Sequence, residues 1–178
     1  MTFNDDAKID PSRVSRRGRN TGIAAGGGGL LVVGLFLLSQ LLGVDLTGLA
    51  GGTQQPEQPG ESLSQCKTGE AANNSVDCRM AGAADSLDKY WSEELPKLGP
   101  EYRTTNIVLF TGQTNTGCGG ATSAVGPFYC PADETIYIDT DFYDELQTRF
   151  GSSGGPLAQM YVVAHEWGHH IQNITGIM

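Results

Sequence analysis

All three histidines of the sequence lie in one short stretch near its end, His165-Glu166-Trp167-Gly168-His169-His170. The stretch contains H-E-x-x-H, a pattern typical of zinc hydrolases. On an α-helix, residues four apart share a face, so His165 and His169 are placed to bind one Zn²⁺ ion from the same side. Glu166 is rotated by about 100° from His165, which suits a general base for a metal-bound water better than a third ligand.

A catalytic zinc usually has three protein ligands and an open position for water, and this motif supplies two of the three. We expect that the chain is truncated after the motif and that the third ligand belonged to a missing second helix. The alternative ligands are acidic residues upstream of the motif, namely Asp139, Asp141, Asp144 and Glu145. His170 is expected to point away from the metal and to pack or to support the ligands.

The histidine pair needs a helix, and the surrounding sequence predicts one over residues 156–175. Gly154-Gly155-Pro156 is typical of a helix start, and Gly176 of a helix end. Apolar residues follow at helical spacing, namely Leu157, Met160, Tyr161 and Ala164. Gly168 lies inside this helix, and we expect it to let another backbone segment approach the metal.

The residues before this helix predict an α+β domain. Apolar spacing indicates a helix over residues 77–95, and short apolar or alternating runs indicate strands at residues 107–110 and 135–139. Residues 112–131 are rich in Gly, Thr and Ser and are expected to form a loop, and residues 142–150 a short helix. A strand near the metal helix can hold an extended peptide by main-chain hydrogen bonds, and residues 136–139 are our candidate.

The charge distribution argues against nucleic-acid binding. The chain has 178 residues and a net charge of −9, although its first 20 residues carry five basic and three acidic side chains. The acidic remainder lacks the basic surface that nucleic acids require. The basic start is better explained by a membrane, since cytoplasmic flanks of membrane helices are rich in Lys and Arg.

Residues 23–44 contain no charged side chain and, as a helix, would measure about 33 Å, enough to cross a bilayer core of about 30 Å. We therefore predict a cytoplasmic N-terminus over residues 1–22, a single transmembrane helix over 23–44 and a flexible linker over 45–65. Residues 66–178 would form the extracytoplasmic domain. The alternative is a cleaved signal peptide with a cut near Gly48-Leu49-Ala50.

Four cysteines agree with a location outside the cytoplasm, where disulfides persist. Cys66 and Cys78 are twelve residues apart, as are Cys118 and Cys130. We favour these two local disulfides because each closes a short loop. A second metal site is the alternative, although no C-x-x-C spacing supports it.

Residues 66–178 also resemble the bacterial neutral zinc metallopeptidases, a family of small single-pass membrane proteins. The matching segments are Val76-Asp77-Cys78-Arg79, Tyr90-Trp91, Thr116-Gly117-Cys118-Gly119, Ser123-Ala124-Val125-Gly126-Pro127-Phe128-Tyr129-Cys130-Pro131-Ala132-Asp133, Ile136-Tyr137-Ile138-Asp139 and the histidine stretch with Ile171-Gln172-Asn173. The resemblance implies a zincin-like α+β fold, with His165 and His169 as zinc ligands and Glu166 as the catalytic base. Family members continue into a further helix with an acidic motif, which this sequence lacks.

Two functions remain open from the sequence. The first is a membrane-anchored zinc peptidase that cleaves a protein or peptide substrate. The second is a membrane-tethered binding or scaffold module whose zinc site is structural or vestigial. A closed site with four protein ligands would favour the second function, and an exchangeable water on the metal would favour the first.

Overall fold

The structure is a computed structural model that describes residues 3–17, 61–143, 148 and 154–178. Its main sheet consists of five strands: β1 (Val14–Arg16), β2 (Glu61–Ser62), β3 (Asn106–Phe110), β6 (Phe128–Cys130) and β7 (Thr135–Asp139). Their order is β2-β1-β3-β7-β6. The three central strands are parallel, and the outer two, β2 and β6, are antiparallel to their neighbours.

Three α-helices are described in full beside the sheet: α1 (Gly69–Asn74), α2 (Val76–Glu94) and α3 (Pro156–Ile174). Side chains fix two of the helix starts, since the Thr68 hydroxyl accepts from the Ala71 N–H and the Ser75 hydroxyl accepts from the Cys78 N–H. Proline occupies the first position of α3, where no N–H is needed. The predicted helices over 77–95 and 156–175 are confirmed, whereas α1 was not predicted.

Both faces of the sheet are buried, and they differ in what covers them. Side chains on one face pack against α2 and α3, namely Ile107, Leu109, Tyr129, Ile136 and Ile138. Side chains on the other face form a second cluster, namely Val108, Phe110, Phe128, Cys130 and Tyr137. Successive strand residues therefore alternate between two apolar environments, as the strand period of two requires. The two predicted strands are confirmed.

The segment predicted as a loop over residues 112–131 contains regular structure. A hairpin of β4 (Gln113–Thr116) and β5 (Gly119–Thr122) precedes β6. A disulfide joins Cys118 in the hairpin turn to Cys130 on β6, and a second joins Cys66 to Cys78 on α2. The two predicted disulfides are therefore confirmed, while the loop prediction is wrong because polar Gly- and Thr-rich strands lack an apolar alternation.

The N-terminal residues belong to the same structural unit as the sheet. Met1–Arg19 and Pro59–Met178 form one compact unit, and residues 20–58 lie outside the described residues. Val14 is buried on β1, which pairs with β3. The sequence predicted a domain boundary at residue 66 and a separate segment over residues 1–22, which differs from this arrangement. The parallel pairing of β1 is non-local, so it leaves no signal in the local sequence.

Several predictions concern residues without a description. The predicted transmembrane helix over 23–44 lies outside the described residues, as does most of the predicted helix over 142–150. Among the residues that are described, no helix combines the length and the apolarity needed to span a bilayer.

Candidate metal centre

Helix α3 brings His165 and His169 together at its surface. Their imidazole ring centres are 4.8 Å apart, with the ring planes nearly perpendicular. His165 is exposed and His169 is partly exposed, so both rings are accessible to an ion from solvent. The spacing predicted from the sequence therefore gives two neighbouring imidazoles on one face of a helix.

One nitrogen of His169 already has a partner. His169 Nδ1 lies 3.0 Å from Gln172 Oε1, an atom that can only accept a hydrogen bond. Nδ1 therefore carries the proton in the neutral ring, and Nε2 keeps its lone pair. Metal-binding histidines are commonly oriented in this way by a hydrogen bond from the other ring nitrogen.

Glu166 lies on the buried side of the helix, next to the two imidazoles. Only 6% of its surface is exposed. Burial raises the pKa of its carboxyl above the usual range, while the neighbouring His165 and His169 side chains and the Tyr129 backbone N–H act to lower it. A carboxyl group with a raised pKa, beside a pair of potential ligands, is suited to accept and release a proton.

A cleft of about 310 Å³ adjoins this arrangement and is open to solvent. His165 and Glu166 form part of its wall, together with Val125, Gly126, Pro127, Phe142, Tyr161 and Val162. The Tyr161 ring also lies parallel to the His165 ring, 6.3 Å between centres. Much of the wall is apolar, so the cleft suits an apolar group close to the two imidazoles and the carboxyl group.

Among the residues that the structure describes, no acidic side chain joins this pair as a third ligand. Asp139 is fully buried, and its carboxylate accepts from the backbone N–H groups of Gly112 and Asp141. Asp144 and Glu145 lie outside the described residues. Within the described residues, His, Cys, Asp and Glu side chains form no group of three or more that could hold a metal ion. The pair of imidazoles fits two positions of a zinc site, since imidazole nitrogen is a usual zinc ligand.

His170 takes no part in the pair, as predicted. It is fully buried, with Nδ1 lying 3.0 Å from the Tyr129 hydroxyl and Nε2 lying 2.7 Å from the Arg103 carbonyl oxygen. Burial lowers the pKa of His170, against the effect of the Arg103 carbonyl. The interpretation of Gly168 is wrong for the described residues, because a Cβ atom there would have no neighbour within 4 Å.

Sequence reasoning missed Tyr129 as a residue of this site. The signal available was the helix period, because Glu166, His170 and Asn173 follow one another on one face of α3. The partner of that face is β6, which is distant in sequence and has only three residues. No periodicity is detectable in so short a strand.

Comparisons with known proteins agree with this chemistry. A family model described as "Putative neutral zinc metallopeptidase" matches residues 4–178. The uncharacterized protein Rv2575 of Mycobacterium tuberculosis (strain H37Rv) is 49% identical over 185 residues, covering 100% of this chain and 61% of that protein. The uncharacterized protein YpfJ of Escherichia coli (strain K12) is 38% identical over 174 residues, covering 97% of this chain and 58% of that protein.

The chain thus spans about three fifths of the length of these relatives. No solved structure matches it.

Proposed function

This chain belongs to the neutral zinc metallopeptidase family, and from that premise we propose that it is a zinc-dependent peptidase with Glu166 as its general base. One observation carries the proposal: two imidazoles lie 4.8 Å apart on a helix, and the buried carboxyl group of Glu166 comes directly after the first of them. The open cleft beside them supports a reaction on an external substrate.

His165 and His169 would hold the metal through their free ring nitrogens, and the Gln172 side chain would orient His169. When bound, zinc lowers the pKa of its water to about 7 and polarises a substrate carbonyl. A catalytic site of this kind has three protein ligands, and we propose that the third comes from outside the described residues.

Glu166 would remove a proton from the attacking water and transfer it to the leaving amine. Its burial disfavours the ionised form, which makes the carboxylate a stronger base than an exposed glutamate. The Tyr129 N–H acts in the opposite direction and offsets part of the effect of burial on the pKa of Glu166. The residue therefore has properties that both proton transfers need.

The substrate would be a peptide held in an extended form along β6. Residues 136–139, the strand predicted from the sequence to hold the peptide, cannot do so because β7 is paired on one side with β3 and on the other with β6. By contrast, β6 is an edge of the sheet within the described part of the chain, and the backbone N–H of its Tyr129 interacts with the Glu166 carboxyl. An edge strand can extend its ladder with a substrate strand.

The rival function, a non-catalytic module with a structural zinc, predicts a closed site. The exposure of His165 and the open cleft favour the peptidase instead. Membrane attachment through residues 23–44 remains a prediction, since those residues lie outside the part of the chain that the structure describes.

The test uses the full chain, loaded with zinc and assayed on an unfolded protein such as casein. Glu166→Gln should keep the bound zinc and lose hydrolysis by about 100-fold or more, because proton transfer contributes about 10²–10⁴-fold. His165→Ala should lose both the bound zinc and the hydrolysis. Glu93→Gln, on the exposed surface of α2, is the matched control and should change neither. Full hydrolysis by the Glu166→Gln protein would rule out the mechanism.

A further inference from the structure

Tyr129 contacts two successive turns of the buried face of α3. Its hydroxyl lies 3.0 Å from His170 Nδ1, and its backbone N–H acts on the Glu166 carboxyl. Glu166 and His170 are four residues apart, so they share a helix face. The side chain and the backbone of one strand residue are therefore both engaged by the helix that carries the candidate site.

The hydrogen bonds around His170 have a defined direction. The Arg103 carbonyl can only accept, so His170 Nε2 carries the proton and Nδ1 accepts from the Tyr129 hydroxyl. Asn173 Nδ2 donates to the same hydroxyl across 2.9 Å. Each of these polar atoms has a partner, and a satisfied buried network of this kind fixes the groups it joins.

We propose that Tyr129 is a positioning residue, whose hydroxyl holds the edge strand β6 at a fixed place relative to Glu166. The proposal rests on the proposed function, in which β6 binds the substrate and Glu166 is the base. Any shift of β6 along or away from α3 would displace the scissile bond from the carboxyl group. Small displacements of this kind are costly, since about 1 Å can lower a rate by about 100-fold.

The test compares two tyrosine hydroxyls on neighbouring strands. Tyr129→Phe removes the hydroxyl that is hydrogen-bonded to His170, whereas Tyr137→Phe removes a hydroxyl that donates to Asp133 Oδ2, in the turn between β6 and β7, across 2.7 Å. Tyr129→Phe should raise KM and lower kcat/KM by about tenfold. Tyr137→Phe should leave both kinetic constants unchanged, although the two variants should lose similar amounts of Tm. Asn173→Ala, which removes one donor to the Tyr129 hydroxyl, should act in the same direction as Tyr129→Phe.

A second readout does not depend on activity. Native-state hydrogen exchange of the Tyr129 amide should be about tenfold faster in Tyr129→Phe than in the wild type, and unchanged in Tyr137→Phe. Equal exchange and equal kinetics in the two variants would overturn the proposal. If Tyr129→Phe accelerates exchange of the Tyr129 amide while the Glu166→Gln protein remains active, the proposed function fails and the positioning by Tyr129 stands.

A different set of contacts supports an independent inference about residues 3–17. Strand β1 lies inside the sheet, paired with β2 on one side and with β3 on the other, with Val14 opposite Ile107. Phe3 donates its N–H to Asn73 Oδ1 across 2.8 Å, and Asn73 Nδ2 donates to the Phe3 carbonyl across 2.9 Å. The segment is therefore held at one end by hydrogen bonds to the Asn73 side chain and at the other by the strand pairing of β1.

Two glycines of the helices provide space for this segment. A Cβ atom at Gly69 would lie 1.7 Å from the Asn4 carbonyl oxygen, and one at Gly82 would lie 2.9 Å from the Phe3 ring. Both distances are shorter than atomic contact allows. The sequence of α1 and α2 is thus adapted to the N-terminal residues.

The basic side chains of this segment also interact with the domain. Arg16 forms an ion pair with Asp77 across 3.2 Å, and Arg13 lies 3.9 Å from Asp88. Arg17 donates to the Asn115 carbonyl across 2.6 Å. These basic residues, which suggested a cytoplasmic N-terminus, therefore form contacts within the folded unit.

We infer that residues 3–17 and residues 61–178 lie in the same cellular compartment. Paired strands are about 4.8 Å apart, whereas a bilayer core is about 30 Å thick, so β1 cannot pair with β3 across a membrane. The prediction that residues 1–22 are cytoplasmic while the domain is outside is replaced by this inference. The number of membrane crossings between the two parts must then be even, so this inference is incompatible with the predicted single crossing by residues 23–44, although not with attachment to one side of a membrane.

The test places a single accessible cysteine in each part of the full chain. Ser12→Cys reports on the N-terminal segment and Ser92→Cys on α2, and both positions are exposed. The four native cysteines are paired in disulfides. Intact and lysed bacterial cells are treated with a membrane-impermeant maleimide, and labelling is assigned to each site by mass spectrometry.

The two cysteines should be labelled to the same extent in intact cells, whether both are accessible or both are protected. Labelling of one site in intact cells, with the other labelled only after lysis, would overturn the inference. The lysed sample shows that each site can react.

Discussion

Arg79 on α2 donates its Nη1–H to Gln159 Oε1 across 2.7 Å, and Gln159 lies in the first turn of α3. The other terminal nitrogen donates to the Asn73 carbonyl across 2.6 Å, while Gln159 Nε2 donates to the Gly154 carbonyl. Arg79 is buried, and burial lowers its pKa. This buried cation therefore connects both earlier helices to the start of the helix that carries His165.

Arg79→Met should destabilise the fold by about 2 kcal/mol, because one buried and one partly buried acceptor lose a charged donor while the apolar stem is kept. Urea unfolding followed by tryptophan fluorescence measures the change, with an unchanged m-value expected. Lys97→Met is the control, since Lys97 is exposed and forms an ion pair with Glu94 three residues away. A midpoint for Arg79→Met equal to that of Lys97→Met would contradict the assignment.

Gln172 should matter for metal affinity although it is not a ligand. Gln172→Ala removes the acceptor of the His169 Nδ1–H, and loss of such a partner weakens metal binding by about 10–100-fold. Because Gln172 is exposed, we expect zinc affinity to fall by about tenfold. Competition with a chromophoric zinc chelator measures this affinity. Gln172→Glu keeps an acceptor and should retain affinity, and Gln113→Ala on the hairpin is the neutral control. Equal zinc affinity in all three variants would contradict this orientation of His169.

The buried carboxyl group of Glu166 should reduce the stability of the zinc-free protein at neutral pH. Its folded-state pKa is raised by burial, so its contribution to stability is greatest below the unfolded pKa and is lost as pH rises through the folded pKa. In EDTA, Glu166→Gln should therefore gain stability relative to the wild type as pH increases from about 4 to about 7. Thermal unfolding across that range measures it.

The same comparison with Glu93→Gln controls for the loss of one negative charge, because Glu93 is exposed on α2. A stability difference for Glu166→Gln that does not change with pH, or that falls as pH rises, would show that burial does not dominate the titration of Glu166.

The sequence was sufficient for the parts of the site that depend on local spacing. The helix period placed His165 and His169 together, and the alternation of Ile136 and Ile138 identified β7, because each signal lies within a single element. The short loops closed by Cys66–Cys78 and Cys118–Cys130 were likewise local. These features need no knowledge of what packs against them.

The remaining features depend on pairing between distant segments. Strand β1 joins the sheet by pairing with residues 107–109. Strand β7 is interior because it pairs with both β3 and β6, and this leaves β6 on the outside. The contact of Tyr129 with His170 spans 41 positions. Neither composition nor periodicity of one segment specifies such partners, so the basic residues near the start were interpreted as a membrane flank.

Glu134, in the turn between β6 and β7, allows a further test, because an ion pair and the backbone conformation both affect its contribution to stability. Its carboxylate accepts from Arg103 Nη2 across 2.6 Å, and the guanidinium lowers the pKa of Glu134 below its usual range. A lowered pKa contributes stability above the unfolded pKa, and this contribution is lost as pH falls through the folded pKa. Glu134→Gln should therefore be less stable than the wild type at pH 7, with the difference shrinking toward about pH 3.

Glu134 also has a backbone φ of 50°, a left-handed conformation that costs residues other than glycine about 1 kcal/mol. Glu134→Gly loses the ion pair but relieves this cost, so it should exceed Glu134→Gln in stability at both pH values. Chemical unfolding of the two variants at pH 7 and pH 3 separates the effects, since only the ion pair depends on pH. Equal stability of the two variants would mean that the turn is unstrained, and a constant deficit of Glu134→Gln would mean that the ion pair contributes nothing.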